Sequence, residues 1–153
     1  MPNTYTQLYV QIVFAVKYRE ALILPTWEDR VYRYITGIVQ QRNHKMMAIN
    51  GVPDHIHFLV SMHPADAVAD MVREVKKAST DFIKTNRFIP FRFQWQSGYG
   101  AFSYNKSEAP RVVSYILNQK EHHRHITFRK EYLDLLKRFD IDFQEPYLFE
   151  FFD

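Results

Sequence analysis

The alternation of apolar and polar positions along this chain predicts short β-strands separated by amphipathic helices. Strands are favoured where apolar side chains alternate with polar ones, because successive side chains of a strand point to opposite faces. The second and third apolar runs are joined by Pro53 and Asp54, a turn pair that predicts a hairpin. The predicted strand segments are 6–16, 45–52, 55–62, 91–96 and 100–104.

Four helices are predicted from apolar positions that recur at three- and four-residue spacing. Thr26 is placed to cap the first helix, and Ser107 to cap the third, which has Pro110 in its first turn, where proline is tolerated. The second helix is expected to open at Pro64 to Asp66. The predicted helices cover 26–43, 64–84, 107–124 and 129–139.

This order of elements, βαββαβ, predicts an α+β fold of the ferredoxin-like or RRM-like type. Its antiparallel sheet carries helices on one face and leaves the other face open, with extra helices following at the C-terminal end. An open sheet face can hold a ligand or a nucleic acid. No repeat, linker or low-complexity stretch interrupts the chain, so residues 1–153 are predicted to form a single domain.

Composition narrows the classes of function. A length of 153 residues, with 46% hydrophobic and 24% charged side chains, is typical of one compact domain. The chain has no cysteine, which excludes disulfides and thiolate sites, so any metal must be held by histidine, carboxylate, amide or water. Because no signal peptide precedes the first strand, and no apolar run approaches the ~20 residues of a membrane span, we expect a cytoplasmic protein without membrane contact.

The charge is divided unevenly along the chain. Residues 1–126 contain 16 basic and 10 acidic side chains, whereas residues 127–153 contain 4 and 7. The net charge of +3 therefore combines a mildly basic body with an acidic tail. The net positive charge of residues 1–126 is compatible with binding to nucleic acid but does not require it.

Two histidines of the third predicted strand share one face. His55 and His57 alternate with Ile56, Phe58 and Val60, so the apolar set should face the helices and the two imidazoles the open side of the sheet. There they are close enough to share a divalent ion. Paired surface histidines without a role fit this short motif equally well.

A tyrosine and a glutamine lie one turn apart in the third predicted helix. Tyr115 and Gln119 are four residues apart, and Tyr115 points about 130° away from the apolar stripe of its own helix. A tyrosine nucleophile beside an amide that binds a metal would have this pattern. A tyrosine that covers a neighbouring surface with its hydroxyl in water would have it as well.

Together these motifs resemble a known family. A His-Ile-His hairpin strand (55–57), then Gln-Trp-Gln-Ser-Gly-Tyr-Gly-Ala-Phe-Ser (94–103), then Tyr-Ile-Leu-Asn-Gln (115–119) followed by a His-His pair, occur in the order found in the single-tyrosine transposases of the IS200/IS605 insertion-sequence family. These transposases belong to the His-hydrophobic-His, or HUH, nucleases. The resemblance extends over nearly the whole chain, from residue 4 to residue 149.

The resemblance implies a DNA transposase that cleaves and rejoins single-stranded DNA at insertion-sequence ends through a 5′-phosphotyrosine. His55 and His57 match the metal-binding histidines of the family, Gln119 its third metal ligand and Tyr115 its nucleophile. The implied cofactor is Mg²⁺ or Mn²⁺. His122 and His123 stand at the end of the same helix. A role in assisting the site would explain them, but a favourable interaction of a cationic side chain with the helix C-terminus is a sufficient structural reason.

The family also implies partners. Its substrates are single-stranded DNA ends with imperfect hairpins, and its working unit is a homodimer in which the tyrosine helix of one protomer can complete the histidine site of the other. Cations on the polar side of the second helix are the predicted contacts with the DNA backbone. These cations are Arg73, Lys76, Lys77 and Lys84.

Other functions fit parts of the sequence. A related HUH replication or mobilisation nuclease, or a domesticated transposase relative, would use the same chemistry. A non-catalytic nucleic-acid-binding domain would use the same ferredoxin-like plan. The strands carry no aromatic RNP-type signature, which counts against this last alternative.

Overall fold

The computed structural model of the chain describes residues 3–152, and within them a four-stranded antiparallel sheet forms the centre of the fold. The strand order is β2-β3-β1-β4, which is the ferredoxin-like order, so the predicted α+β fold is confirmed. The strands are β1 Tyr9–Ala15, β2 Lys45–Val52, β3 His55–Ser61 and β4 Gly100–Tyr104.

Five α-helices are found among the described residues, two between strands and three after the last strand. Short 3-10 turns at Arg19–Ala21 and Glu145–Tyr147 accompany them. The helices are α1 Glu28–Gln41, α2 Val68–Thr85, α3 Ala109–Leu117, α4 Gln119–His122 and α5 Phe128–Arg138.

The predicted hairpin of β2 and β3 is confirmed, with Pro53 and Asp54 in its turn. The turn is tied to its surroundings, because the Val16 amide donates to the Asp54 carbonyl at 2.8 Å. Gly51 permits the tight approach of the two strands, since a Cβ atom there would lie 2.4 Å from the carbonyl oxygen of His55. The hairpin therefore fixes the start of β3, where the two histidines stand.

One face of the sheet packs against α1 and α2. Phe14 and Ile56 are register partners on this face, and the Lys76 ammonium of α2 lies 5.3 Å from the centre of the Phe14 ring. Helix α1 lies beside α2, where Tyr34 stacks on Phe82 with ring centres 4.2 Å apart. The apolar set of β3 faces these helices, as the alternation predicts.

The opposite face, predicted to be open, is covered by the C-terminal helices. Phe139, which follows α5, stacks on Phe102 of β4, and the amide of Asn50 in β2 donates to the carbonyl of Leu117 at 3.0 Å. The amphipathic helices α3 and α5 must bury their own apolar stripes, and this sheet face is the surface that buries them. The prediction of an open face was wrong.

Several predicted boundaries also differ. Thr26 and Ser107 cap no helix: Trp27 precedes α1 and Glu108 precedes α3, neither with a side-chain cap bond. Thr127, in contrast, accepts a hydrogen bond from the Lys130 amide at the start of α5.

The continuous helix predicted over 107–124 is interrupted at Asn118, whose backbone leaves helical geometry. Before α3 the capping residue is Asn105 and not Ser107: the Glu108 amide donates to Oδ1 of Asn105 at 3.0 Å, and the Asn105 amide donates to Oε1 of Glu108 at 3.3 Å.

Segment 91–96 does not form a strand, contrary to prediction. Only Trp95 bridges to Val16, beyond the end of β1. Trp95 is nevertheless buried against Phe14, with ring centres 4.7 Å apart, and its indole N–H donates to Ser79. Two backbone hydrogen bonds also join this segment to the end of β1, from the Gln96 amide to the Ala15 carbonyl and from the Lys17 amide to the Gln94 carbonyl. Pairing this short does not extend into a strand.

Asp66 links three elements through its carboxylate. It accepts two hydrogen bonds from the Arg42 guanidinium, at 2.8 and 2.7 Å, and lies 2.7 Å from Nε2 of His44. Nδ1 of His44 in turn accepts from the His63 amide. The Arg42 guanidinium holds the pKa of Asp66 well below its usual range. This cluster joins the end of α1, the approach to β2 and the segment before α2.

We expect Asp66→Asn to lower the free energy of unfolding by about 2 kcal/mol, because hydrogen bonds to a charged group are lost. The effect should be full above about pH 4 and fade as the pH falls further, since the low folded pKa makes this stabilisation depend on the ionised carboxylate. Urea unfolding at a series of pH values measures it. Asp70→Asn, in an exposed pair with Arg73, is the control and should change little; equal effects of both variants would contradict the prediction.

Candidate active site

Two buried imidazoles of β3 form the base of the candidate site. His55 and His57 are the register partners of Ala15 and Val13 in β1 and share one sheet face, as predicted. Both side chains are fully buried, and their ring centres are 5.2 Å apart. Phe128 of α5 stacks on the His55 ring at 3.6 Å, so the covering helix and not water borders the histidines.

A carboxylate from α5 meets these imidazoles. Oε1 of Glu131 lies 3.0 Å from Nε2 of His57, 3.3 Å from Nε2 of His55 and 3.0 Å from Nε2 of His123. Glu131 is only 2% exposed. Burial by itself raises the pKa of Glu131, but the neighbouring imidazoles outweigh burial and hold that pKa well below its usual range. The group is therefore an ionised carboxylate inside the protein.

Tyr115 and Gln119 approach the other oxygen of the same carboxylate. The Tyr115 hydroxyl donates to Oε2 of Glu131, and Nε2 of Gln119 donates to it at 3.0 Å. Nε2 of His122 lies 3.4 Å from the Tyr115 hydroxyl. Burial is the main cause that raises the pKa of Tyr115, and the negative charge of Glu131 raises it further. The phenol is therefore protonated at neutral pH. Tyr115 meets the histidines of its own chain.

Further contacts orient the imidazoles. Nδ1 of His55 lies 2.7 Å from a carboxylate oxygen of Asp54, and Nδ1 of His123 lies 2.9 Å from the carbonyl of Ile126. The Gln11 amide lies 2.9 Å from Nδ1 of His57. Such contacts fix the direction of the other ring nitrogen, which points into the cluster.

The cluster fits a divalent metal. One ligand atom from each of His55, His57, His123 and Glu131 can be chosen so that all four lie within 4.8 Å of one another. Nε2 of His55 and Oε1 of Gln119 are buried and, among the described residues, have no hydrogen-bond partner. Buried polar atoms normally have partners, and a bound cation would supply one to both.

The four residues predicted from the sequence, His55, His57, Tyr115 and Gln119, are thus brought together. Glu131 was missed, and His123 was assigned no ligand role. A signal for Glu131 exists in the sequence. It occupies the apolar stripe of α5, one turn after Phe128 and one turn before Leu135, and a charged residue inside an apolar stripe needs a buried partner.

The four cations predicted to bind DNA lie elsewhere. They belong to α2, which packs on the sheet face opposite the histidines. Arg73, Lys77 and Lys84 are exposed, and Arg73 is paired with Asp70. Lys76 is partly buried and donates to the carbonyls of Gln96 and Gly98 at 2.9 and 2.6 Å. Burial lowers the pKa of Lys76 to about 8.

A cavity of about 270 Å³ leads to Tyr115 from the side of α3 and α5. Tyr115, His122 and Glu131 line its inner part, and Arg111 and Arg138 line it as well. Both arginines are about half exposed or more, and each approaches the same carboxylate oxygen of Glu108, at 3.3 and 3.8 Å. Glu108 thus pairs with both guanidinium groups, which are the cationic part of this lining.

Comparison with known proteins places the chain among the transposases. The family described as "Transposase IS200 like" matches residues 4–119, and the chain belongs to this family. The ISDra2 transposase TnpA of Deinococcus radiodurans is 30% identical over 73 residues, which are 48% of this chain and 52% of that protein. The match thus spans about half of that relative's length.

Two solved structures share the fold. A transposase candidate from Deinococcus radiodurans has a TM-score of 0.60 at 21% identity, over 76% of this chain and 93% of that chain. The REP-associated tyrosine transposase bound to a REP hairpin has a TM-score of 0.61 at 18% identity, over 80% of this chain and 73% of that one. Within residues 3–152, no helix combines the length and the apolar character needed to cross a membrane.

Lys76→Ala should lower the free energy of unfolding by about 2 kcal/mol, because two charge-assisted hydrogen bonds to the 96–98 segment are lost. The exposed neighbours Lys77→Ala and Lys84→Ala should stay within about 0.5 kcal/mol of the wild type. Chemical denaturation of the three variants measures this difference. If Lys76→Ala matches the other two in stability, Lys76 does not anchor the segment.

Proposed function

We propose that residues 1–153 form one transposase domain that cleaves and rejoins single-stranded DNA at insertion-sequence ends. Tyr115 is the nucleophile and forms a 5′-phosphotyrosine. The observation that carries the proposal is the contact of the Tyr115 hydroxyl with Glu131, whose other oxygen meets His55 and His57. In a chain of the IS200-like family, this cluster joins a nucleophile to a metal-binding group.

His55, His57 and Gln119 are the residues that would hold the catalytic metal, expected to be Mg²⁺ or Mn²⁺. A bound divalent ion supplies Lewis-acid polarisation of the scissile phosphate and neutralises charge on its oxygens. The unpartnered Nε2 of His55 and Oε1 of Gln119 support this assignment. Asp54 and Gln11 keep the two imidazoles in place from behind.

Glu131 orients the hydroxyl of the nucleophile. Tyr115 is protonated in the free protein, and its hydroxyl donates to Glu131, which holds the phenol oxygen in place until the proton is lost during attack. Attack forms a bond between the phenol oxygen and phosphorus and breaks the bond to the 3′ oxygen, which leaves as a 3′-hydroxyl after taking up a proton. One phosphodiester replaces another, so rejoining is the reverse step and requires no energy cofactor.

The DNA strand is inferred to reach Tyr115 between Arg111 and Arg138. The cavity that they line ends at Tyr115 and Glu131, whereas the α2 cations lie on the other side of the sheet. Arg73, Lys77 and Lys84 are then contacts for DNA outside the cleavage site. Guanidinium groups suit this position because they bind phosphate oxygens in a fixed geometry.

Substrates with hairpin ends and a homodimeric working unit are part of the proposal. One solved relative of the same fold is a tyrosine transposase bound to a REP hairpin. Within a single chain Tyr115 already meets its own histidines, so a dimer of this protein would pair two complete sites or exchange the tyrosine helices. The edges available for such pairing are β2 and β4.

The covered sheet face argues against a non-catalytic nucleic-acid-binding domain. Domains that stack bases on a ferredoxin-like sheet need exposed aromatic side chains on it. Here Phe102 and Tyr104 are buried beneath Phe139.

Incubation with Mn²⁺ and labelled single-stranded DNA that carries a hairpin end should yield a protein–DNA adduct that survives denaturing electrophoresis. Tyr115→Phe should abolish the adduct, because the attacking oxygen is missing. His57→Ala should abolish metal-dependent cleavage. Tyr147→Phe, at an exposed tyrosine, is the matched control and should behave as the wild type. A wild-type protein that binds this DNA without forming the adduct would refute the strand-transfer mechanism.

The double variant Arg111→Ala/Arg138→Ala should cleave at least about tenfold more slowly, a loss of about 1.4 kcal/mol in phosphate positioning. The double variant Lys77→Ala/Lys84→Ala should cleave bound DNA at the wild-type rate. It should instead reduce the slope of log affinity against log salt by about 0.7 for each lost phosphate contact. Single-turnover cleavage and salt-dependent binding assays separate the two effects, and the reverse pattern would place the cleaved strand at α2.

A further inference from the structure

We propose that Glu131 and His123 are metal ligands, and that with His55 and His57 they form a centre of three imidazoles and one carboxylate that binds Mn²⁺ in preference to Mg²⁺. This inference rests on the proposed function in one respect, since it concerns the metal of the same site. It goes beyond the ligand set that the family implies, because Glu131 and His123 follow residue 119, where the family match ends.

The positions of the four groups fit a single ion. Their ligand atoms lie within 4.8 Å of one another, and all four side chains are buried or nearly so. They come from β3, from the residue after α4 and from α5, so that separate parts of the chain converge on one point. A chance meeting of exposed acidic and basic side chains would show neither this burial nor this convergence.

The hydrogen bonds at the outer ring nitrogens of His55 and His123 support a cation in the cluster. In the neutral imidazoles of His55 and His123, Nδ1 carries the proton, because it faces an oxygen acceptor, Asp54 in one case and the Ile126 carbonyl in the other. Nε2 of each ring then presents a lone pair toward Oε1 of Glu131, at 3.3 and 3.0 Å. A cation bound among these groups would accept both lone pairs and pair with the carboxylate oxygen as well.

The second oxygen of Glu131 connects this centre to the nucleophile. Oε2 accepts hydrogen bonds from Tyr115 and Gln119, while Oε1 faces the imidazoles. Glu131 is thus a ligand through one oxygen and a positioning group for Tyr115 through the other. Gln119 holds the carboxylate in this orientation through Nε2, and its unpartnered Oε1 is available to the same ion.

The donor set decides which metal is preferred. Mg²⁺ favours oxygen ligands and keeps several waters, whereas imidazole nitrogen suits first-row transition metals. Three imidazole nitrogens outnumber the protein oxygens available here, which are one from Glu131 and Oε1 of Gln119. A site of this kind binds Mn²⁺ more tightly than Mg²⁺, and the single carboxylate supplies the anionic ligand that Mn²⁺ accepts readily.

Isothermal titration of the DNA-free chain with MnCl₂ and with MgCl₂ tests the proposal. We expect one Mn²⁺ per chain, bound at least tenfold more tightly than Mg²⁺. Glu131→Gln and His123→Ala should each weaken Mn²⁺ binding at least tenfold. The matched controls Glu121→Gln and His125→Ala, at exposed positions nearby, should bind as the wild type does. Electron paramagnetic resonance of bound Mn²⁺ should change in Glu131→Gln and not in the controls.

Circular dichroism in EDTA establishes that each variant is folded. If Glu131→Gln is unfolded, Glu131→Asp keeps the charge but withdraws the oxygens by one methylene, and it should also weaken Mn²⁺ binding. Unchanged Mn²⁺ affinity in folded Glu131 and His123 variants, or equal affinity of the wild type for Mg²⁺ and Mn²⁺, would overturn the proposal. Mn²⁺ binding as expected with no DNA adduct would instead refute the transposase mechanism and leave the ligand set standing.

Discussion

The buried charge of Glu131 is the constraint on which the rest of this structure depends. An ionised carboxylate inside a protein is strongly destabilising unless it is paired and hydrogen-bonded. Here its two oxygens are surrounded by three imidazoles, a phenol and an amide. Those partners come from β3, α3, α4 and the turn after it. The docking of α5 on the sheet and the assembly of the site are therefore the same event.

The alternation of side chains in β3 gives the two faces of the sheet different roles. Ile56, Phe58 and Val60 face α1 and α2 and belong to the apolar core. The neighbouring histidines face the C-terminal helices and belong to the reactive centre. A slip of one residue in the register of β3 would place imidazoles in the core and apolar side chains in the site. The hairpin at Pro53 and the tight approach at Gly51 fix that register.

Much of this arrangement could be predicted from the sequence. The period-two pattern predicted that His55 and His57 share one face of the sheet. The resemblance to the transposase family predicted that Tyr115 and Gln119 join them. The sequence did not predict that α3 and α5 close the sheet face, because an amphipathic stripe shows that a helix must be buried but not against which surface. Glu131 has a local signal, its position in the apolar stripe of α5, but that pattern does not identify its partners, because His57 and His55 lie 74 and 76 residues away in the chain.

The interruption of the helix at Asn118 has a consequence for how the protein matures. Tyr115, on α3, and Glu131, on α5, belong to separately formed segments, and α5 is translated after every strand of the sheet. Domains form as their segments emerge from the ribosome. A nascent chain that has completed its sheet still lacks Glu131, so the candidate site is assembled only after α5 has followed the sheet.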